Sequence, residues 1–357
     1  MQFLNTLTKN IFKAPQGSVK AAQNNYHRAI DLGRTRIFFA EGKVVSHKLY
    51  LNQLVSVPLT ANMDLPAALK KLFNDEQHSR DEICISLKSP QVITRFLRFP
   101  KMTEQELRGV LQFEIEQYVP YEAKDLYMDL SVLQDSVKVD QSENTEIFVA
   151  VAKKDYLDPL VKQFKDVESE VSVVDVDMLA CMKSLEFFHA EDYKGHAAIL
   201  DLGVHVSTLG VVRTGLPRFI RDLSFGTQDI TKKLKSRALL PDASIVEFIE
   251  GRLEAASDQY ASFTDSIESL INDVKVSFDF YRDQSEDGAS PDKLFVCGLG
   301  SNQKFILEAL QKSLDIPISN MDISSKLEFS PTVSKDLFNS ILPDLPVLMG
   351  LLLREHD

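Results

Sequence analysis

The chain has 357 residues, 44% of them apolar and 26% charged, and a net charge of −12. That length exceeds the usual single hydrophobic core and implies two lobes, while the acidic balance excludes a general nucleic-acid binder, which needs surplus Lys and Arg to neutralise phosphate. Cys84, Cys181 and Cys297 stand far apart with no Cys-x-x-Cys pair and no neighbouring His, which marks them as buried free thiols of a reducing compartment, and no run approaches the ~18 to 20 apolar residues of a membrane span.

The first acidic residue is Asp31. Before it, Phe3, Leu4, Leu7, Ile11 and Phe12 recur at helical spacing among Lys9, Lys13 and Lys20, so residues 1–26 form a short basic amphipathic segment. Two readings stay open. One is a helix lying on a membrane surface or a partner, which would give peripheral membrane association; the other is a frayed helix ahead of Pro15 and Gly17.

From His27, HRAIDLGRTRIFFAEGKVV reads as strand, turn and strand, with a hairpin turn expected at Glu41-Gly42. From His196, HAAILDLGVHVSTLGVVRTGLP repeats the pattern, with its turn at Thr214-Gly215. Each opens on an apolar strand ending in Asp-Leu-Gly, so the two look like copies of one unit. Between them, RFLRFPKMTEQELRGVLQFEIEQYVPYEAKDLYMDLSVL from Arg95 gives a strand closed by Pro100 and a helix opened by a Thr103/Glu106 capping box. That helix carries Leu107, Leu111, Ile115 and Tyr118 on one face and stops at Pro120, and a further strand follows from Lys124 to Leu133. EIFVAVAKKDYLDPLVKQF from Glu146 adds another strand and helix. Residues 259–283 predict a long amphipathic helix, and KLFVCGLGSNQKFILEALQKSLDIPI from Lys293 a strand broken at Gly298 and Gly300 before a helix. The expected division is 27–90 for a first lobe, 91–172 for an inserted α/β subdomain and 173–195 for a return to the first lobe. A second lobe takes 196–338 with a helical part at 227–290, and 339–357 returns as a helix to the first lobe.

Two tight Asp-bearing hairpins and a glycine-broken strand-to-helix turn suit a nucleoside polyphosphate. Backbone N–H groups and small hydroxyls of such hairpins can take phosphate, two carboxylates can hold hydrated Mg²⁺, and glycines let a nucleoside approach without a Cβ clash. On this reading Asp31 and Asp201 serve the metal through water. Gly33, Thr35, Gly203, Ser207 and Thr208 cradle phosphate, and Gly298, Gly300 and Ser301 meet the nucleoside. No Ser-His-Asp order, HExxH or kinase-type loop is present, and His27, His196 and His205 read as packing or surface residues. Nothing marks a general base, so ATP binding with weak or absent hydrolysis is expected.

The order of the three motifs resembles the actin and Hsp70 ATPase superfamily. The stretch ILDLGVHVSTLGVVRTGLPRFIRDLSFGTQDIT, with Phe225-Gly226, is similar to the second phosphate segment of the PilM and FtsA families. RFPKMTEQEL through QYVPYEAKDLYMD resembles the PilM signature, and LPVLMGLLLRE its final helix. The resemblance implies an α/β, actin-like bilobed ATPase fold with two RNase H-like domains and an inserted subdomain. It further implies a cytoplasmic protein at the inner membrane, in the type IV pilus assembly platform, that binds ATP and Mg²⁺ and captures the cytoplasmic tail of a PilN-like membrane protein. Pilus motor ATPases and a platform protein are implied as further partners. The tail would lie extended in a groove shaped by Phe99, Pro100, Tyr118, Pro120 and Tyr121; the plain alternative for these residues is a hinge with ordinary core aromatics.

The departures from the family pattern fall on the nucleotide motifs. Arg34 stands where Ser or Thr is usual, Ile37-Phe38 replaces a Val-Lys pair, Leu299 interrupts a Gly-Gly pair, and Glu250 takes the place of a basic residue. Losing cations near a triphosphate removes charge-assisted hydrogen bonds, for which Arg34 is a compensating candidate. The competing functions are an FtsA-like polymerising protein, a GspL-like type II secretion component, from which this chain differs in carrying no membrane span, and a small-molecule kinase or chaperone-like ATPase.

Overall fold

The computed structural model describes residues 26–60, 63–73, 82–88, 90–139, 142–237, 267–285, 287–301 and 304–354. The amphipathic segment before Tyr26, Glu250 and the start of the helix expected from residue 259 lie outside the described residues. Two compact units are present, the first running to Ala180 and completed by Leu327–Ser334 and the chain from Gly350 onward, the second formed by Cys181–Lys326 and Lys335–Met349.

The first unit is built on a six-stranded sheet of order β14-β3-β2-β1-β4-β8. Its strands are β1 (His27–Leu32), β2 (Arg36–Val45), β3 (Lys48–Pro58), β4 (Ile83–Leu87), β8 (Val171–Val176) and β14 (Leu327–Phe329). β1 to β3 form an antiparallel meander, while β4 runs parallel to β1 and β8 parallel to β4. Apolar β-branched and aromatic residues dominate these strands, and Ala29, Ile30, Phe39, Leu49, Leu51 and Ile85 are fully buried. Helix α1 (Leu65–Phe73) seals the sheet with Leu69 and Phe73, the latter set edge-on against Phe39.

The β2–β3 turn is not at Glu41-Gly42. Both residues lie within β2, at a bulge, and the chain reverses at Ser46 and His47, whose φ of 49° and 63° make the turn that suits the strand twist. Gly42 instead makes room between strands, because a β-carbon there would sit 2.8 Å from the Tyr50 carbonyl oxygen and hold β3 away. At the other expected turn the chain does reverse at Thr214 and Gly215, both at positive φ.

Inserted into this unit is a three-stranded antiparallel sheet, β5 (Val92–Pro100), β6 (Leu126–Val139) and β7 (Ser142–Lys153), in the order β5-β7-β6. Helix α2 (Glu104–Glu114) covers one face, and its Leu107 and Leu111, with Ile115 just beyond, are buried against Phe99, Leu130, Ile147 and Val149. The helix starts on a complete capping box: Thr103 N–H donates to Glu106 at 2.8 Å, and Glu106 N–H to the Thr103 hydroxyl at 3.3 Å. Arg108 ties it to the sheet by bridging Glu104 and the buried Asp129. The strand expected from Lys124 begins at Leu126, because Ala123–Asp125 forms a single 3₁₀ turn. Helix α3 (Lys154–Lys165) then leads into β8, and α4 (Asp177–Phe188) leaves it. A short helix, α5 (Ala190–Lys194), follows in the second unit.

The second unit has the sheet order β11-β10-β9-β12-β13, with β9 (His196–Leu202), β10 (Ser207–Arg213), β11 (Leu216–Leu223), β12 (Lys293–Gly298) and β13 (Ile318–Asn320). Its antiparallel meander followed by two parallel strands repeats the β3-β2-β1-β4-β8 order of the first unit. Helices α6 (Thr227–Arg237), α7 (Glu268–Gln284) and α8 (Lys304–Ser313) belong to this unit, and Ile271, Val274, Phe278 and Tyr281 of α7 pack with Leu209, Val211 and Phe219 of the sheet. All three cysteines are free and buried. Among the described residues no helix is long and apolar enough to cross a membrane.

Candidate functional site

The two Asp-Leu-Gly hairpins share one geometry. In the second unit Asp201 pairs with Thr208 across β9–β10, and in the first Asp31 pairs with Phe38 across β1–β2. A β-carbon on Gly203 would lie 2.1 Å from the Val206 carbonyl oxygen, and one on Gly33 2.4 Å from that of Arg36. Both turns are therefore too tight for any residue but glycine.

Behind the second hairpin lies the start of α6. Thr227 N–H donates to the Gly203 carbonyl at 2.9 Å and Gln228 N–H to that of Val204 at 3.0 Å, while Asp229 caps the helix by accepting from Gly226 N–H. Gly226 is needed for this contact, since its β-carbon would fall 2.2 Å from the Val204 oxygen. In a trans peptide the C=O and the next N–H point opposite ways. With the Gly203 and Val204 carbonyls turned toward α6, the N–H groups of Val204 and His205 face away from the helix, an arrangement able to receive an anion. The buried Phe225 and Gly226 are thus the back wall of this hairpin.

Asp201, Thr208, Cys297 and Gly298 come together in one sheet. Cys297 is the register partner of Asp201 on β12, with its thiol 3.9 Å from Oδ1. Gly298 follows with φ of 84°, and a β-carbon on it would lie 2.5 Å from the same oxygen. The Thr208 hydroxyl donates to Asp222 at 3.2 Å. The hydroxyls of Ser207 and Ser301 are buried with no hydrogen-bond partner among the described residues, and an orphaned buried hydroxyl favours a ligand or water. Gly300 has φ of 85°, and Ser301 N–H closes the turn on the Gly298 carbonyl at 3.1 Å. His205 is exposed at the hairpin tip.

In the first unit Asp31 is buried at the end of β1, Gly33 begins the turn, and Arg34 and Thr35 are exposed on it. The Thr35 carbonyl accepts from Leu59 N–H at 2.7 Å. Two groups here escaped sequence reasoning. Lys88, just past β4, lies 3.0 Å from Asp177, just past β8, in an ion pair whose acidic partner is nearly buried. Tyr156 stands close enough to Arg34 and Asp177 to feel both charges, and burial with Asp177 raises its phenol above the usual value against the opposing pull of Arg34. The Asp-x-Asp of VSVVDVDMLA, between a strand and a helix, is the signal that could have exposed Asp177.

The aromatic residues of the inserted subdomain divide. Phe99 is buried in its core and meets Tyr118 edge-on at 6.4 Å, and Arg95 Nε donates to the Tyr118 carbonyl at 3.0 Å. Pro100, Pro120 and Tyr121 are exposed, and the Lys153 ammonium stands 5.1 Å from the Tyr121 ring.

Two sheets of this shared order, the Asp-Leu-Gly hairpins and the inserted subdomain define the actin-like ATPase α/β fold. The chain matches the family described as type IV pilus assembly protein PilM over residues 29–356, and it belongs to that family. Among solved structures it is similar to a PilM–PilN type IV pilus biogenesis complex, with TM-score 0.78 and 21% identity over 92% of this chain and 98% of that one. Two more distant likenesses are too slight to carry weight. One is to the ethanolamine utilization protein EutJ of Carboxydothermus hydrogenoformans (TM-score 0.49, 9% identity, 94% of this chain and 92% of that one). The other is to MreB5 of Spiroplasma citri bound to ADP (TM-score 0.48, 10% identity, 93% and 98%).

Proposed function

We propose that this protein is a cytoplasmic component of the type IV pilus inner-membrane platform that holds the N-terminal tail of a PilN-like membrane protein and binds ATP with Mg²⁺. The observation that carries the partner half is the inserted sheet. Strand β5 pairs with β7 alone among the described residues, leaving an edge of nine residues onto which an extended peptide can add as a further strand. The Phe99, Pro100, Tyr118, Pro120 and Tyr121 group lies at the end of that edge and at the close of α2, and the similar solved structure is of a PilM–PilN complex.

For the nucleotide half, Asp201 is assigned to hydrated Mg²⁺, Gly203 and Ser207 with the hairpin amides to phosphate, and Gly298, Gly300 and Ser301 to the nucleoside. Thr208 shapes that hairpin through Asp222. Asp31, Gly33 and Thr35 take the corresponding metal and phosphate roles in the first unit. The orphaned Ser207 and Ser301 hydroxyls and the glycine contacts at Asp201 support this reading.

Binding of a fluorescent N-terminal peptide of the PilN-like protein, followed by polarisation, tests the partner half. Saturable binding that weakens in Tyr121→Ala is the expected result, and no binding with or without Mg-ATP overturns it. For the other half, Mg-ATP must raise the melting temperature, since a ligand of the native state stabilises it, and Asp201→Ala must remove the rise.

A further inference from the structure

Three cations lie along β5 and just past its end, and they are not treated alike. Arg98 stands opposite Glu146 in the β5–β7 register and donates to its carboxylate at 2.6 Å. Lys101 Nζ reaches Glu143, on the same neighbouring strand, at 2.7 Å. Arg95 has the buried Val149 opposite it. Its guanidinium meets carbonyl oxygens only, that of Tyr118 from Nε at 3.0 Å and that of Thr94 from Nη1 at 2.8 Å. Among the described residues no carboxylate pairs with Arg95, and its Nη2 has no acceptor. The side chain is exposed, and the side of β5 away from β7 is the open edge of the sheet.

An exposed guanidinium in water needs no counter-charge. A strand laid along the edge removes that water, and a covered cation is costly unless an anion comes with the cover. Side chains directly opposite one another on paired strands share a face, and residues two apart return to it. Arg95 shares its face with Ile93, Leu97 and Phe99, which pack with the core under α2. An incoming residue opposite Arg95 is therefore flanked, two positions away on each side, by residues that lie beside Ile93 and Leu97. The frame reads the same for a parallel and an antiparallel guest.

We infer that the segment captured on the β5 edge carries an aspartate or glutamate opposite Arg95, within an apolar-x-acid-x-apolar frame. This rests on the strand-addition reading above and adds the chemistry of the partner. The open Nη2 of Arg95 donates a charge-assisted hydrogen bond to the incoming carboxylate, while Nε stays on the Tyr118 carbonyl and holds the group in place. Arg98 and Lys101 already have carboxylates of β7, so the position of Arg95 alone sets where the acid of the guest must fall.

Polarisation titration of the full chain with a twenty-residue N-terminal peptide of the PilN-like protein tests this, alongside peptides in which each Asp or Glu in turn is replaced by its amide. One such replacement should weaken binding to wild type about tenfold and to Arg95→Gln less than about twofold, and Arg95→Gln should itself cost about tenfold against the unaltered peptide. Arg95→Lys, which keeps the charge and loses the planar fork, should recover part of the loss. Because Gln also drops the Tyr118 contact, a merely structural role weakens the unaltered and the amide peptides alike. Such equal weakening, or binding by a tail with no acid in the frame, overturns the inference and leaves the partner reading in place. A second probe is independent of that partner: the acetylated heptapeptide Thr-Val-Thr-Glu-Thr-Val-Thr and its Gln counterpart, followed by amide chemical shifts. If the tail fails to bind while the Glu heptapeptide binds in an Arg95-dependent way, the inference stands and the PilN-like partner falls. If neither binds, both fall.

Discussion

Gly298 passes so close to Asp201 that a β-carbon on it would lie 2.5 Å from carboxylate Oδ1, and its φ of 84° is itself outside the range L residues favour. Gly298→Ala therefore meets a steric and a backbone penalty together. We expect a loss of about 1–3 kcal/mol in stability and no melting-temperature rise on Mg-ATP. Unchanged urea midpoints in the variant would contradict the close approach.

The first unit contains a buried ion pair, Arg354 with Asp175, with side chains 4% and 0% exposed, and the Arg354 backbone carbonyl meets His27 Nδ1 at 2.7 Å. Arg354→Met strands a charge in the core beside Cys84, whose thiol burial already pushes up to about 12. The expected cost is about 3–5 kcal/mol, while the double change Arg354→Met with Asp175→Leu recovers most of it, because an apolar pair needs no desolvation of charge. Equal midpoints for the single and double variants would refute the pairing argument.

In the second unit, His196 is buried with Nε2 2.9 Å from the Tyr281 hydroxyl, and burial lowers its proton affinity, helped by Arg213 and opposed by Asp292 and Asp287. The unfolded chain takes the proton at about pH 6.5, the folded one only lower, so the stability held by neutral His196 is complete above that value and drains away as pH falls toward the folded one. Urea midpoints at pH 7.5 and 5.5 should fall more steeply for wild type than for His196→Asn. Parallel slopes would remove His196 as a source.

Phe113 on α2 is 85% exposed, and a β-carbon on Gly109, one helical turn before it, would meet nothing within 4 Å. Phe113→Ser should leave stability within about 0.5 kcal/mol. A larger loss by thermal denaturation would mean the side chain is covered in solution.

Much of this organisation was legible in the sequence, for physical reasons visible at single positions. Thr103 and Glu106 are spaced for a capping box, and the box is there; Pro100 ends β5 because proline cannot donate to a ladder. The repeated Asp-Leu-Gly segments fold into sheets of the same strand order. Gly42 misled because a glycine beside an acid reads as a turn, whereas the reversal falls to Ser46 and His47, which adopt positive φ without a glycine. Lys88 and Asp177 are 89 residues apart and meet only through the parallel register of β4 and β8, which no local pattern encodes. Likewise the grip of Thr227 and Gln228 on the hairpin depends on where α6 begins relative to β9.

The placement of Arg354 sets a timetable for the chain. Asp175 acquires its counter-charge only after a further 179 residues have been added, and β14, which extends the same sheet, is also late. Without the last residues, β3 would be an edge of the sheet in place of β14, and Asp175 would have no Arg354 beside it. Shortening the chain to end before Arg354 is thus expected to weaken the first unit by the same route as Arg354→Met, through the loss of a counter-charge rather than of apolar contact.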